Sequence, residues 1–242
     1  MGMSYFISDA HLGAESQEKE RAKREKLLSF LDYISSAENL FILGDFFDFW
    51  FDYKTVIFRE YFDILCKLAE LVQKGVKVHF FGGNHDWWAF EGGILSEIGI
   101  DVHRRPAEII IDGKKFFMGH GDGIAPSDWG YRNLLAPLLR NRVSIFLFRL
   151  VPPPMAWWIS RAVSSTSKLY TQKRNLRLEE EYREFAARKI AENFDFVVFG
   201  HLHIPILEKI GKGVYANSGD FFQNFTYLVF DGQNLELKRW ER

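Results

Sequence analysis

The chain has a single cysteine in 242 residues, Cys66, so neither a disulfide framework nor a cysteine-based zinc cluster is open to it. Its setting among Ile64, Leu65, Lys67 and Leu68 reads as a helix interior and predicts a buried, inert thiol. Charge of one sign is lacking too. Lys+Arg 31 against Asp+Glu 32 leaves a net of −1, and no global field pulls the chain toward nucleic acid. No secretory signal precedes the strand-like run from Met3 to Ile7, so a reducing, cytoplasmic setting is expected. Phe6 stands where N-myristoylation of Gly2 would need Ser or Thr. Internal repeats and low-complexity linkers are also missing.

What is present is apolar and aromatic. Hydrophobic residues make up 47% of the chain, enough to bury a sizeable core, and 24 Phe with 7 Trp help raise the aromatics to 17%. The first half alternates strand-like and helix-like segments. Residues 3–8, 39–43 and 76–81 read as strands, and residues 17–36 and 56–73 as helices, the first carrying Leu27, Leu28, Phe30, Leu31 and Ile34 at helical spacing. That rhythm argues for parallel strands with crossover helices. Further on, 114–118 and 195–199 read as strands, 176–191 as a helix, and 205–210, 213–217, 225–230 and 234–240 as antiparallel strands.

Residues 123–178 differ in texture. They hold nine bases against one acid, Asp128, so the block carries +8 and the remainder of a chain with net −1 carries −9. The bases are interleaved with paired aliphatics such as Leu134-Leu135 and Leu138-Leu139, and with Trp157-Trp158. The longest uncharged stretch in the block, Leu150–Ser160, is 11 residues with three prolines, whereas a spanning helix needs about 20 apolar residues. The block therefore reads as short amphipathic helices inserted into one domain spanning 1–242, rather than as a membrane span.

The chemistry lies where strands end. Five strand-like runs lead into Asp9-Ala10-His11, Gly44-Asp45-Phe46-Phe47-Asp48, Gly83-Asn84-His85-Asp86, Gly119-His120-Gly121-Asp122 and Gly200-His201-Leu202-His203. Ligands of open α/β sheets bind outside the carboxyl ends of strands, where such loops converge. Each motif alone has a plainer reading, as a solvated strand end, a turn with a helix cap or an edge strand. The Gly119–Gly123 run lacks the Gly-Lys-Ser/Thr of a phosphate loop. Together, however, they gather five of the seven histidines, leaving His79 inside an apolar strand and His103 near a strand end as structural or exposed residues. Seven candidate ligands result: Asp9, His11, Asp45, Asn84, His120, His201 and His203. Carboxylate, amide and imidazole donors without thiolate suit Mn, Fe or Zn, and seven groups suit two metals sharing one carboxylate.

This ordered set resembles the calcineurin-like metallophosphoesterase superfamily, whose pattern is D-x-H, G-D-x-x-D, G-N-H-D/E, G-H and G-H-x-H. The resemblance implies an α/β fold, a four-layer αββα sandwich of two mixed sheets. It also implies two divalent metal ions, Mn²⁺ foremost with Fe or Zn as alternatives. One ion would take Asp9, His11, Asp45 and His203, the other Asp45, Asn84, His120 and His201, with Asp45 bridging. The pair lowers the pKa of a water that attacks phosphorus. His85 would stabilise charge or protonate the leaving oxygen, and Asp48 would orient His85.

Asp45-Phe46-Phe47-Asp48-Phe49-Trp50 and the opening of the basic block, from His120 to Tyr131, further resemble the UDP-2,3-diacylglucosamine pyrophosphohydrolases of lipid A synthesis. That likeness makes 123–178 a helical lid that receives two acyl chains of a lipid-linked UDP-sugar, each buried methylene contributing about 0.8 kcal/mol. It implies water attack on the α-phosphorus, giving UMP and 2,3-diacylglucosamine 1-phosphate. Substrate contacts would fall on Asn84, His85, Asp128, Ser164, Lys168, Thr171 and His201. The basic, aliphatic lid also suits peripheral contact with the anionic inner face of the cytoplasmic membrane. No nucleic-acid partner and no obligate protein partner is expected. His85 departs from the best-described branch, which has Arg after this Asn. The alternative reading is a phosphodiesterase for nucleotides or small diesters. A non-catalytic scaffold on the same fold would have lost ligands that are all present here.

Overall fold

Runs rich in Phe, Ile and Val suit the half-buried surface of a pleated sheet, and they make the strands of this chain. In the computed structural model, which describes residues 2–161 and 176–241, eleven strands fall into two mixed sheets. The first contains β1 (Ser4–Ile7), β2 (Asn39–Ile42), β3 (Lys77–Phe81), β4 (Asp101–His103), β10 (Thr226–Phe230) and β11 (Leu235–Arg239). Its order is β11-β10-β1-β2-β3-β4, with β1 to β4 parallel and β10 antiparallel to both its neighbours. The second contains β5 (Ala107–Ile111), β6 (Lys114–Met118), β7 (Phe196–Phe199), β8 (Pro205–Ile210) and β9 (Gly213–Ser218). Its order is β5-β6-β7-β9-β8, with β6, β7 and β9 parallel.

The sheets bury their facing sides against each other. Phe6, Phe41, Phe81, Leu228 and Phe230 of the first sheet form one cluster with Phe116, Met118, Phe196, Val198 and Ala216 of the second. Phe6 stacks between Phe41 and Phe116 at centroid distances of 4.8 and 5.8 Å. The outer faces take helices. On α1 (Gln17–Tyr33), the buried stripe of Leu27, Phe30 and Leu31 includes Phe30 packed on Tyr5 and Tyr227 of the first sheet. Beside it, α2 (Phe62–Gln73) packs against α1 and β3. A four-residue α3 (Ile94–Glu97) precedes β4. On the far side, the end of α7 (Leu176–Ala191) lays Lys189 over the ring of Phe117 and brings Ile190 to the backbone of Gly213. The result is the expected four-layer sandwich.

Residues up to Gly121 together with those from Ala186 onward form one compact unit, and Asp122–Phe185 a second. The second unit holds a π-helical turn (Tyr131–Leu135), α4 (Ala136–Arg140), α5 (Arg142–Arg149), α6 (Pro153–Arg161) and the start of α7. Asn141 caps α5, its side-chain oxygen accepting from Ser144 N at 2.9 Å. Inside the unit, Asp122 accepts from Tyr131 Oη and from Arg140, both at 2.7 Å, and Glu181 accepts from Ser127 N at 2.9 Å. Among the described residues, no single helix is long and apolar enough to cross a membrane; α5 and α6 meet that length and composition only as a pair bent by 118°.

Three expectations are corrected. Strand β5 was not anticipated from the sequence, and β4 only as a strand end near His103, because both are short and charged residues interrupt their apolar pattern. The second helix starts at Phe62, after a 3₁₀ turn at Arg59–Tyr61, instead of at Val56; the β-branched Val56 and Ile57 are poor helix formers. Cys66 does lie inside a helix but is exposed, because the buried stripe of α2 is Ile64, Leu65, Leu68 and Leu71 and position 66 falls off it.

Candidate metal centre

The parallel strands β1, β2 and β3 in one sheet and β6 and β7 in the other each run into one of the five ligand-bearing loops. Turning a strand directly into a side chain aimed at a common point demands unusual backbone. Asp9, His11, Asp45, His201 and His203 all lie in the left-handed region, with φ between 42° and 67°. That conformation is uncommon outside glycine, though Asp and His tolerate it better than most residues. Such strain persists only where the surroundings enforce it, and it gathers at functional sites. Two glycines allow the close approach. Gly44 has φ +88°, and a Cβ there would meet the His120 ring at 2.7 Å; a Cβ on Gly83 would collide with Asp45 Oδ1.

The side chains converge in two neighbouring groups. In one, Asp9 Oδ1 faces His203 Nε2 at 3.1 Å and His11 Nε2 at 3.9 Å, and the two imidazole nitrogens are 3.4 Å apart. In the other, His120 Nε2 stands 3.4 Å from Asp45 Oδ2, 3.2 Å from Asn84 Oδ1 and 3.1 Å from His201 Nδ1. Asp45 Oδ2 also lies 3.8 Å from His11 Nε2, so one carboxylate oxygen borders both groups. All seven predicted ligands are thereby brought together.

The donor set fits a cation on the chain's own hydrogen bonding. His120 Nδ1 donates to the Leu43 carbonyl at 2.9 Å, which leaves Nε2 as a lone pair facing a carboxylate and an amide oxygen. Asp9 Oδ1 is buried and makes no hydrogen bond, while its other oxygen accepts from His201 N at 2.9 Å. Facing lone pairs in a buried site repel unless a positive charge lies between them. Burial works against ionisation of Asp45, yet His120, His85 and His11 outweigh it and hold this carboxyl well below the usual range. Burial likewise opposes ionisation of Asp9, but His203 and His120 prevail and lower it. Burial pulls His11 down, with Asp48 opposing. For His203 burial is outweighed by Asp9, and its pKa rises.

His85 sits at the edge of the centre. Its backbone N donates to Asp45 Oδ1 at 2.8 Å, and its Nδ1 donates to the Asp48 carbonyl at 2.9 Å. The Asp48 carboxylate is 3.8 Å from that ring and closer, at 3.4 Å, to His11 Nδ1. Asp48 thus meets both rings, and its contact to His85 runs chiefly through the main chain. Burial would lower the His85 pKa, but Asp45 and Asp48 together raise it.

Two features were not singled out in the sequence. Asp86, fully buried, accepts from Gly83 N at 2.8 Å, Asp45 N at 3.1 Å, Phe46 N at 2.7 Å and Phe47 N at 3.1 Å, clamping the second and third loops together. Burial, helped by Asp45, pushes its carboxyl up to about 7 against those four donors. Its place directly after Asn84-His85 was the available signal. The second feature is the connection 219–225, whose Phe222 touches His11 and His203.

Of the remaining predicted residues, Asp128 lies in the Asp122–Phe185 unit, with Oδ2 buried and without a hydrogen-bond partner. Burial, then Glu181 and Asp122, raise its pKa. Ser164, Lys168 and Thr171 lie outside the described residues. His79 and His103 stand away from the centre, 3.3 Å from each other and stacked on Phe41 and Phe81.

The model of the calcineurin-like phosphoesterase family matches residues 4–205. A UDP-2,3-diacylglucosamine hydrolase of Porphyromonas gingivalis is 31% identical over 258 residues, covering 98% of this chain and 97% of that protein. Proteins of the same name from Azotobacter vinelandii and Pseudomonas putida are 29% and 28% identical, over 96% and 99% of this chain and the same shares of their own lengths. Among solved structures, an archaeal phosphodiesterase shares the fold with a TM-score of 0.50 at 14% identity, covering 98% of each chain.

Proposed function

The chain belongs to the calcineurin-like phosphoesterase family, and from that premise we propose that it hydrolyses the diphosphate of UDP-2,3-diacylglucosamine. The class of chemistry, metal-dependent hydrolysis of a phosphoric diester or diphosphate, comes with the family. The finer reading is that water attacks the α-phosphorus, the bond to the bridging oxygen breaks, and UMP leaves 2,3-diacylglucosamine 1-phosphate behind. The observation that carries it is similarity along nearly the whole chain to proteins bearing that hydrolase name, the Asp122–Phe185 unit included.

Asp9, His11, Asp45 and His203 would hold one divalent ion, and Asp45, Asn84, His120 and His201 a second, with Mn²⁺ the first candidate. When bound, the ions supply Lewis acidity, activating the attacking water and offsetting charge on the phosphoryl oxygens. The chain's own groups do the rest. His85 spends its Nδ1 proton on the Asp48 carbonyl, so the proton it can give to a leaving oxygen, or the charge it can offer, sits at Nε2. Asp86 anchors the Asp45 main chain so that this carboxylate keeps its place between the two groups.

In the Asp122–Phe185 unit, Leu134, Leu138, Phe146, Leu147, Leu150 and Trp158 are exposed apolar side chains amid an excess of bases. They suit two acyl chains attached to an anionic head group, and the unit then acts as a lid presented to a lipid surface. The buried, unpartnered Asp128 Oδ2 is an acceptor available to a sugar hydroxyl or amide of the substrate. Membrane association would be peripheral, on the cytoplasmic face.

The test is UMP release from UDP-2,3-diacylglucosamine in detergent with Mn²⁺, with a small chromogenic phosphodiester in parallel. Rapid UMP formation with little diester turnover is expected. Diester turnover without UMP would leave the metal chemistry standing and move the substrate to soluble nucleotides or diesters.

A further inference from the structure

The β9–β10 connection lies beyond residues 4–205, the part matched by the family model, yet together with Ser218 at the end of β9 it packs against one half of the metal centre and against the residue before Asp9. Phe221 N donates to the carbonyls of Ser8 and Asp9, each at 3.2 Å. Ser218 Oγ pairs with Ser8 Oγ at 2.7 Å, and Asn224 Nδ2 donates to the His203 carbonyl at 3.3 Å. Phe222 sets its ring nearly perpendicular to two imidazoles, His11 at 5.7 Å and 87° and His203 at 5.4 Å and 81°. The connection is itself held in shape. Asp220, buried, accepts from the backbone N–H groups of Phe222, Gln223 and Asn224 at 3.1, 2.6 and 3.0 Å.

These contacts fall on Asp9, His11 and His203 and on Ser8, the residue before Asp9. The other half has a different fixture, the Leu43 carbonyl that holds the His120 ring. The distinction matters because the terminal torsion of histidine is broad and roughly two-fold, so ring direction is set by what the ring touches. Contacts around the first ligands orient them and tune metal affinity, and losing one typically weakens binding about 10–100-fold.

We propose that Phe222, presented by the Asp220-braced connection, is a positioning residue that sets the affinity of the Asp9/His11/His203 metal position independently of the Asn84/His120/His201 position. This rests on the two-metal reading given above. The Phe222 ring fills the space beside both imidazoles and holds them at the angle at which their Nε2 atoms converge. Removing it frees both rings while every ligand atom of both positions remains.

The experiment is a Mn²⁺ titration of the chelator-stripped full-length protein, reading free Mn²⁺ by electron paramagnetic resonance, for the parent and for Phe222→Ala, Phe222→Leu and Phe222→Tyr. Two binding phases are expected in the parent, and Asp9→Asn identifies the phase belonging to the Asp9 position. Phe222→Ala and Phe222→Leu should weaken that phase alone by about 10–100-fold, and Phe222→Tyr should restore it to within about threefold. Fewer than two ions bound by the parent would overturn the two-metal reading itself. Two ions in the parent, with both phases unchanged or equally weakened in Phe222→Ala and Phe222→Leu, would overturn the role of Phe222 and leave that reading intact.

Discussion

Asp86 offers a sharp test of how the centre is held. One fully buried carboxylate accepts from four main-chain donors, Gly83 and Asp45 on Oδ1 and Phe46 and Phe47 on Oδ2. Asp86→Asn keeps the shape but only one acceptor oxygen. Whichever way the amide turns, two donors keep a partner and two face an NH₂ group. Leaving a buried donor unsatisfied costs about 1–3 kcal/mol, so two such losses, partly relieved by relaxation, give about 3 kcal/mol. Against a total stability of about 5–15 kcal/mol the variant still folds. At about 2–4 °C per kcal/mol for a chain of this size, its melting temperature should drop by about 6–12 °C. Urea unfolding, with and without saturating Mn²⁺, is the assay. Because Asp86 fixes the Asp45 main chain, the variant should also gain less stability from Mn²⁺ than the parent does, binding being linked to folding. A variant within about 0.5 kcal/mol of the parent would refute the clamp; an equal loss with and without metal would reduce Asp86 to a structural role.

Asp45→Ala should abolish turnover, and metal analysis of the purified variant should show the loss of bound ions; full activity with both ions retained would contradict the bridging assignment. His85→Ala should keep its metals and lose about 10²–10⁴-fold in kcat, measured by steady-state kinetics beside metal content. Asp128→Ala should raise KM for the lipid substrate about tenfold, in line with a lost hydrogen bond to a buried acceptor, and leave a small diester unaffected. Burial and His103 hold His79 down at about 4, well below its ordinary 6.5, so it is neutral in the folded state and binds fewer protons there than in the unfolded chain. Its contribution to stability is therefore full above about 6.5 and is lost as pH falls toward about 4, to the extent of about 2–3 kcal/mol at pH 4.5. Comparing urea unfolding at pH 7.5 and 4.5 for the parent and His79→Phe would show this, the variant losing that much less on acidification.

The sequence by itself determined the candidate ligands and the strand ends that carry them. Each of the five motifs is a local event, a β-rich run broken by glycine and followed by Asp, Asn or His, and strand ends of that kind can be read without knowing what pairs with what. The helix at Leu176–Ala191 was legible for the same reason, as its period repeats within a few residues. Sheet membership was not. β9 and β10 look alike as antiparallel runs, yet β9 pairs parallel with β7 in one sheet and β10 antiparallel with β1 in the other, a choice made by long-range hydrogen bonding and by burial between the sheets. The left-handed backbone at Asp9, His11 and Asp45 was likewise invisible, because the surrounding structure imposes it on residues that do not intrinsically demand it. Asp86 and Phe222 show the same division most plainly. A carboxylate becomes a clamp, and a phenyl ring a wall, only when folding brings to it main-chain donors from 40 residues away or an imidazole from the far end of the chain. Local chemistry is written in neighbouring residues; its support comes from partners distant in sequence, and those only the tertiary structure supplies.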